Sequence, residues 1–146
     1  MSKYIICDVA SADHGKTTFL KEVIESFKAS KEWQVVTSQP KYVSDLWIVF
    51  RHIISGKVVL VQTMGDEAAL YSETIKYITN NNVNIILCAR RSRGQTLTAV
   101  QTIVRMGFTE LDFTHLYPAT LNWSDPAVAP SFSVMSKTIL DIISII

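Results

Sequence analysis

Cysteine occurs only twice in the 146 residues, at Cys7 and Cys88, too few for the disulfide framework of a small secreted domain. Both end apolar runs and read as ordinary buried thiols. No Cys and His spacing resembles a zinc site, and His52 and His115 lack metal-ligating company. Net charge is nearly absent as well, at +1, so electrostatics point neither to nucleic acid nor to an anionic membrane. No apolar run reaches the length of a membrane span, because Asp141 and Ser144 interrupt even the C-terminal stretch. The N-terminus enters an apolar run at once, without a basic region, a long apolar region or a cleavage site. A cytoplasmic location is the expectation. Internal repeats and low-complexity tracts are missing too.

What is present fits one core-rich domain spanning 1–146. Hydrophobic residues make up 48% and charged residues 18%, a balance that allows a sizeable core. Residues 3–8 read as a short buried strand. Phe19, Leu20, Val23, Ile24 and Phe27 then share one face of a helix starting near Lys16. Residues 33–37 form a second strand, and Pro40 breaks it. Val43, Leu46, Trp47, Phe50, Ile53 and Ile54 recur at helical spacing up to Gly56, which predicts a second helix. Residues 57–63 are continuously apolar in the middle, as in a central parallel strand.

A third helix is predicted over 68–79, a fourth strand over 83–88, a fourth helix over 96–106 closed by Gly107, and a short strand over 111–117. Residues 118–130 read as a loop, and Met135, Ile139, Ile142, Ile143 and Ile146 as the stripe of a closing helix. This alternation predicts an α/β three-layer sandwich with a mainly parallel five-stranded sheet. Ligands of such sheets lie beyond the carboxyl ends of the strands.

At the first of those ends stands Ala10-Ser11-Ala12-Asp13-His14-Gly15-Lys16-Thr17-Thr18. The pattern G-x-x-x-x-G-K-[ST] places backbone amides around phosphates, the lysine on the terminal phosphates and the hydroxyl on Mg²⁺. Gly15, Lys16 and Thr17 match it, and Ala10 stands where the first glycine is usual. A strand before the loop and a helix after it supply the context the motif requires, with the helix N-terminus facing the anion. Ser11, Ala12, Asp13, His14, Gly15, Lys16, Thr17 and Thr18 are therefore candidate nucleotide-binding residues, His14 through its backbone. Asp8, just before the loop, either aids Mg²⁺ or caps the turn.

Residues 12–19 resemble the V-D-H-G-K-T-T-L loop of translation elongation factor GTPases. That family carries D-x-P-G-H, N-K-x-D and S-A at later strand ends, where this chain has Gln62-Thr63-Met64-Gly65-Asp66, Arg90-Arg91-Ser92-Arg93 and Pro118-Ala119-Thr120. The resemblance implies a P-loop fold and nucleoside-triphosphate chemistry. Each departure removes a defined part of GTPase function. Gln62 replaces an Asp that holds Mg²⁺ through water, Asp66 replaces a water-positioning His, and Arg93 replaces the Asp that accepts from guanine. Arg93 offers only donors, so ATP is expected to bind at least as well as GTP.

Asp66 and Glu67 are candidates for placing water, with Asp66 also near Mg²⁺; acids in the first turn of a helix serve equally well as dipole partners. Arg90, Arg91 and Arg93 are candidates for stacking on the base or stabilising phosphate. Three functions follow as expectations: Mg²⁺-dependent hydrolysis of ATP or GTP, with Lys16, Asp66 and Glu67 catalytic; phosphoryl transfer to a small molecule, using 43–54 and 118–130 as pocket walls; or a degenerate nucleotide-binding module acting through a protein partner or a second copy.

Overall fold

The protein is described here from a computed structural model that covers residues 2–9, 16–38, 47–63, 69–90, 94–113 and 128–146. Elements run β1 (Tyr4–Val9), α1 (Lys16–Ala29), β2 (Trp33–Ser38), β3 (Trp47–His52), β4 (Val58–Gln62), α2 (Ala69–Asn80), β5 (Ile85–Arg90), α3 (Gln95–Arg105), β6 (Thr109–Phe113) and α4 (Val128–Ile145). The strands form one sheet in the order β2-β3-β4-β5-β1-β6. β4, β5, β1 and β6 are mutually parallel, whereas β3 is antiparallel to both β2 and β4.

The mainly parallel five-stranded sheet expected from the sequence is thus corrected to a six-stranded mixed sheet, and the cause is the segment read as a second helix. Residues 47–52 form β3. The helical stripe included Trp47 and Phe50 but left Ile48 and Val49 pointing away, yet all four are buried. Ile48 and Phe50 pack in the core under α1 and α4, while Trp47 and Val49 pack in the core under α2 and α3. Only a period of two can deliver consecutive side chains to opposite covered faces. A tight turn then returns the chain antiparallel, since parallel neighbours need a crossover of a dozen residues or more. Gly56 makes this turn at φ 73°, and its N–H donates to the His52 carbonyl at 3.0 Å.

Helices cover both faces. On one, α1 buries Phe19, Leu20, Val23, Ile24 and Phe27 as its periodicity predicts, alongside Phe132, Ile139 and Ile143 of α4. Phe27 stacks on Phe50 with ring centroids 4.8 Å apart. On the other, Tyr71 of α2 and Val100 and Ile103 of α3 lie over Ile5, Leu60 and Ile86. Each large apolar side chain removed from water in this way contributes about 1.5–3 kcal/mol.

Lys57, at the foot of β4, is buried and its Nζ donates to the Ile143 carbonyl at 2.8 Å, satisfying a C-terminal carbonyl of α4. Burial lowers its pKa from the ordinary 10.5.

Two predictions follow from these contacts. Ile48→Ala and Val49→Ala each lower the unfolding free energy in urea, by about 2 kcal/mol or more for Ile48 and somewhat less for Val49; a helical segment with Trp47 and Phe50 inward would show almost no loss at either. For Lys57, the unfolded chain holds more proton than the folded one between the depressed pKa and 10.5, so its contribution to stability rises with pH in that window. Wild-type stability relative to Lys57→Met therefore climbs as the pH of urea titrations is raised toward 10.5, and a flat or falling difference contradicts the assignment.

Candidate functional site

The parallel strands β4, β5, β1 and β6 all end at the same edge of the sheet. Their exits differ in direction. β1 leads into α1 on one face, while β5 leads toward α3 on the opposite face. Neighbouring parallel strands with such exits leave a crevice between them, the usual ligand position in an open α/β sheet. Val9 and Arg90 are register partners at its floor. α1 begins at Lys16, as expected, so its N-terminal end lies at this edge. α3 also starts there, after Gly94 at φ 95°, with no side-chain cap.

Several candidate residues lie outside the described portion of the chain: Ser11, Ala12, Asp13, His14 and Gly15, then Asp66 and Glu67, and Arg91 and Arg93. For Lys16 and Thr17 the backbone is described, in the first turn of α1, and the side chains are not; Thr18 is exposed there. Asp8 is fully buried, where β1 ends between Ala89 and Phe113.

Arg90 belongs to β5, which runs two residues past the strand end expected at residue 88. Its side chain is buried, with Nη2 donating to Asp112 Oδ2 at 2.9 Å and Nε 3.5 Å from Glu110 Oε1. Burial disfavours its charge, but the neighbouring Asp112 and Glu110 carboxylates outweigh this and raise the pKa. The guanidinium is therefore tied across β1 to the edge strand β6.

Gln62 ends β4, one strand removed from β1 because β5 lies between them. Adjacent strands are about 4.8 Å apart, so these two ends are separated by roughly twice that. The fully buried Gln62 carboxamide works in a chain of hydrogen bonds. Trp47 Nε1 donates to Thr74 Oγ1 at 3.0 Å, and the Thr74 hydroxyl donates to Gln62 Oε1. Gln62 Nε2 is buried with no partner among the described residues. Beside it, Tyr71 Oη donates to the Ala89 carbonyl at 2.5 Å, and burial raises the phenol's pKa well above 10.0.

The two cysteines are buried, as read, but they face each other. Cys7 and Cys88 are register partners on adjacent parallel strands, with Sγ atoms 3.6 Å apart. The hydrogen bond with Cys88, together with burial and the Glu110 and Asp112 charges, raises the Cys7 pKa. Cys7 Sγ and oxygens of Glu110 and Asp112 lie within 4.8 Å of one another. Sequence reasoning missed this cluster, although strand pairing of 3–8 with 83–88 and 111–117 would have set Cys7 between its partners.

The ion pair generates a prediction. Arg90→Met leaves both carboxylates without their cation and lowers stability by about 1–3 kcal/mol, discounted for the partial exposure of Asp112. Arg90→Lys recovers only part of the loss because it lacks the planar fork. Urea midpoints of the three proteins measure this, and equal midpoints refute it.

Comparison with family models, with curated proteins and with solved structures finds no match to this chain.

Proposed function

We propose that this chain is a P-loop nucleoside-triphosphate-binding protein with a three-layer α/β architecture, acting as a Mg²⁺-dependent hydrolase of ATP or GTP. The observation that carries the reading is the position of the Gly15-Lys16-Thr17 motif. In the chain it falls between β1, which ends at Val9, and the first turn of α1, which begins at Lys16, and among the described elements β1 and β5 are the neighbouring parallel strands whose exits diverge. A phosphate at the head of α1 gains from its unpaired amides and from the helix dipole. The residues present fit a magnesium nucleotide in kind, since the loop offers amides, a lysine and a hydroxyl. In this proposal Lys16 and the amides of 11–17 neutralise phosphate charge, Thr17 binds Mg²⁺, and Asp66 or Glu67 orients the attacking water. A cytoplasmic protein acting alone or with a protein partner fits this role.

One observation favours a second reading, a binding module with little turnover. Gln62, where the resemblance would have an acid serving Mg²⁺, spends its carboxamide oxygen on Thr74. The kinase reading loses one of its intended pocket walls, because 47–52 is a buried strand.

Lys16→Ala tests the site. The variant should keep the wild-type unfolding midpoint and lose at least tenfold in affinity for MgATP and MgGTP, about 1.4 kcal/mol. Phosphate release by the wild-type protein then separates hydrolase from binding module. Unchanged affinity in a folded Lys16→Ala protein rejects the proposal as a whole.

A further inference from the structure

Beneath α3, on the side of the sheet opposite α1, β5, β1 and β6 line up Cys88, Cys7 and Asp112 in one register row. Glu110 stands two residues before Asp112 on the same face, and Arg90 leans across from β5. We propose that this cluster is a binding site for one thiophilic divalent cation such as Zn²⁺, held by Cys7, Glu110 and Asp112, with Cys88, next to Cys7, turning in as the fourth donor.

Three observations carry the proposal. Two thiolates on a tetrahedral Zn²⁺, at about 2.3 Å each, stand roughly 3.8 Å apart, and the Cys7 and Cys88 sulfurs are already 3.6 Å apart. Oxygen donors of both acids lie within 4.8 Å of Cys7 Sγ and of each other. Glu110 Oε1, finally, is shut off from water without a hydrogen-bond donor among the described residues; its 3.5 Å approach to Arg90 Nε is an ion pair only. A buried acceptor in that condition points to a missing cation or water.

The charge balance permits the ion without expelling Arg90. One divalent cation enters, two S–H bonds are replaced by two metal–sulfur bonds, and two protons leave, so the cluster's net charge is unchanged. Arg90 keeps its hydrogen bond to Asp112 Oδ2, the kind of outer contact that orients a metal-binding carboxylate. On the β6 side the Glu110 and Asp112 side chains are 25% and 43% exposed while both cysteines are fully buried, so the acids are the part of the cluster that meets solvent. Soft sulfur ligands favour Zn²⁺ over Mg²⁺, which keeps this site distinct from the nucleotide loop.

The experiment is titration of the full chain, reduced and chelator-treated, with Co²⁺ followed by Zn²⁺. Cys7 and Cys88 are the only cysteines, so thiolate-to-Co²⁺ charge-transfer absorption reports this cluster alone. The expected result is a band saturating at one ion per chain, with two protons released per ion and bleaching on Zn²⁺ addition. Because both cysteines are fully buried and their Ser variants risk misfolding, Glu110→Gln carries the ligand test and weakens Co²⁺ binding about tenfold or more, while Cys88→Ser, compared only where its urea midpoint shows it folded, removes most of the band. Lys16→Ala leaves the band intact, which separates this result from the nucleotide proposal. No band in excess Co²⁺, binding indifferent to Glu110→Gln, or isolation of the native chain with a Cys7–Cys88 disulfide each overturns the proposal.

Discussion

The parallel register of β1 on β5 is the contact on which the other parts depend. Tyr4 through Val9 pair one for one with Ile85 through Arg90, and the strands on either side build outward from this pair. It sets Cys7 against Cys88 and Val9 against Arg90. A slip of one residue would turn every side chain of β1 to the wrong face, moving Ile5 and Cys7 out of the core under α2 and α3 and driving Asp8 into it. The same pair separates the helices: what leaves β1 crosses to one face and what leaves β5 to the other. The crevice is thus a consequence of topology before any side chain is chosen.

Much of this was legible because periodicity and burial coincide. The α1 stripe from Phe19 to Phe27, the helix end at Gly107 and the apolar run of β4 each have one consistent reading, and the elements start and stop within a few residues of it. β3 was illegible for a definite reason. Trp47, Phe50, Ile53 and Ile54 satisfy a helical period, and the competing signal, four consecutive β-branched or aromatic residues buried on both faces, has no period to detect. Ile53 and Ile54 added to the error, since both lie exposed in the turn after the strand.

The candidate site was legible in part and for a different reason. A loop motif is local, so Gly15-Lys16-Thr17 could be found from the sequence and anchored to the strand before it and the helix after it. Arg90 could not be understood locally. Its partners Asp112 and Glu110 come from a strand beyond β1, and a basic run of four residues gives no sign that its first member belongs to the sheet. The cysteine pair has the same character, being created by strand order alone.

The two faces of the sheet also differ in how they treat polar atoms. Under α1 and α4 the core is mostly apolar, with aromatic contacts such as Phe19 against Phe132 at 5.7 Å, and its buried polar groups Lys57 and Ser136 have partners in Ile143 and Ser26. Under α2 and α3 lie the Trp47, Thr74 and Gln62 chain, the Tyr71 hydroxyl, the facing thiols and the Arg90 ion pairs. Buried polar groups cost stability unless every member is satisfied, so an evenly apolar core would hold this sheet more simply. Two atoms without a partner among the described residues, Gln62 Nε2 and Glu110 Oε1, both sit on this second face, one at the end of β4 and one near the thiols. Local rules fail first where a protein does something besides fold. On that argument the buried polar groups under α2 and α3, more than the aromatic packing under α1 and α4, are the part of this core that folding alone does not explain.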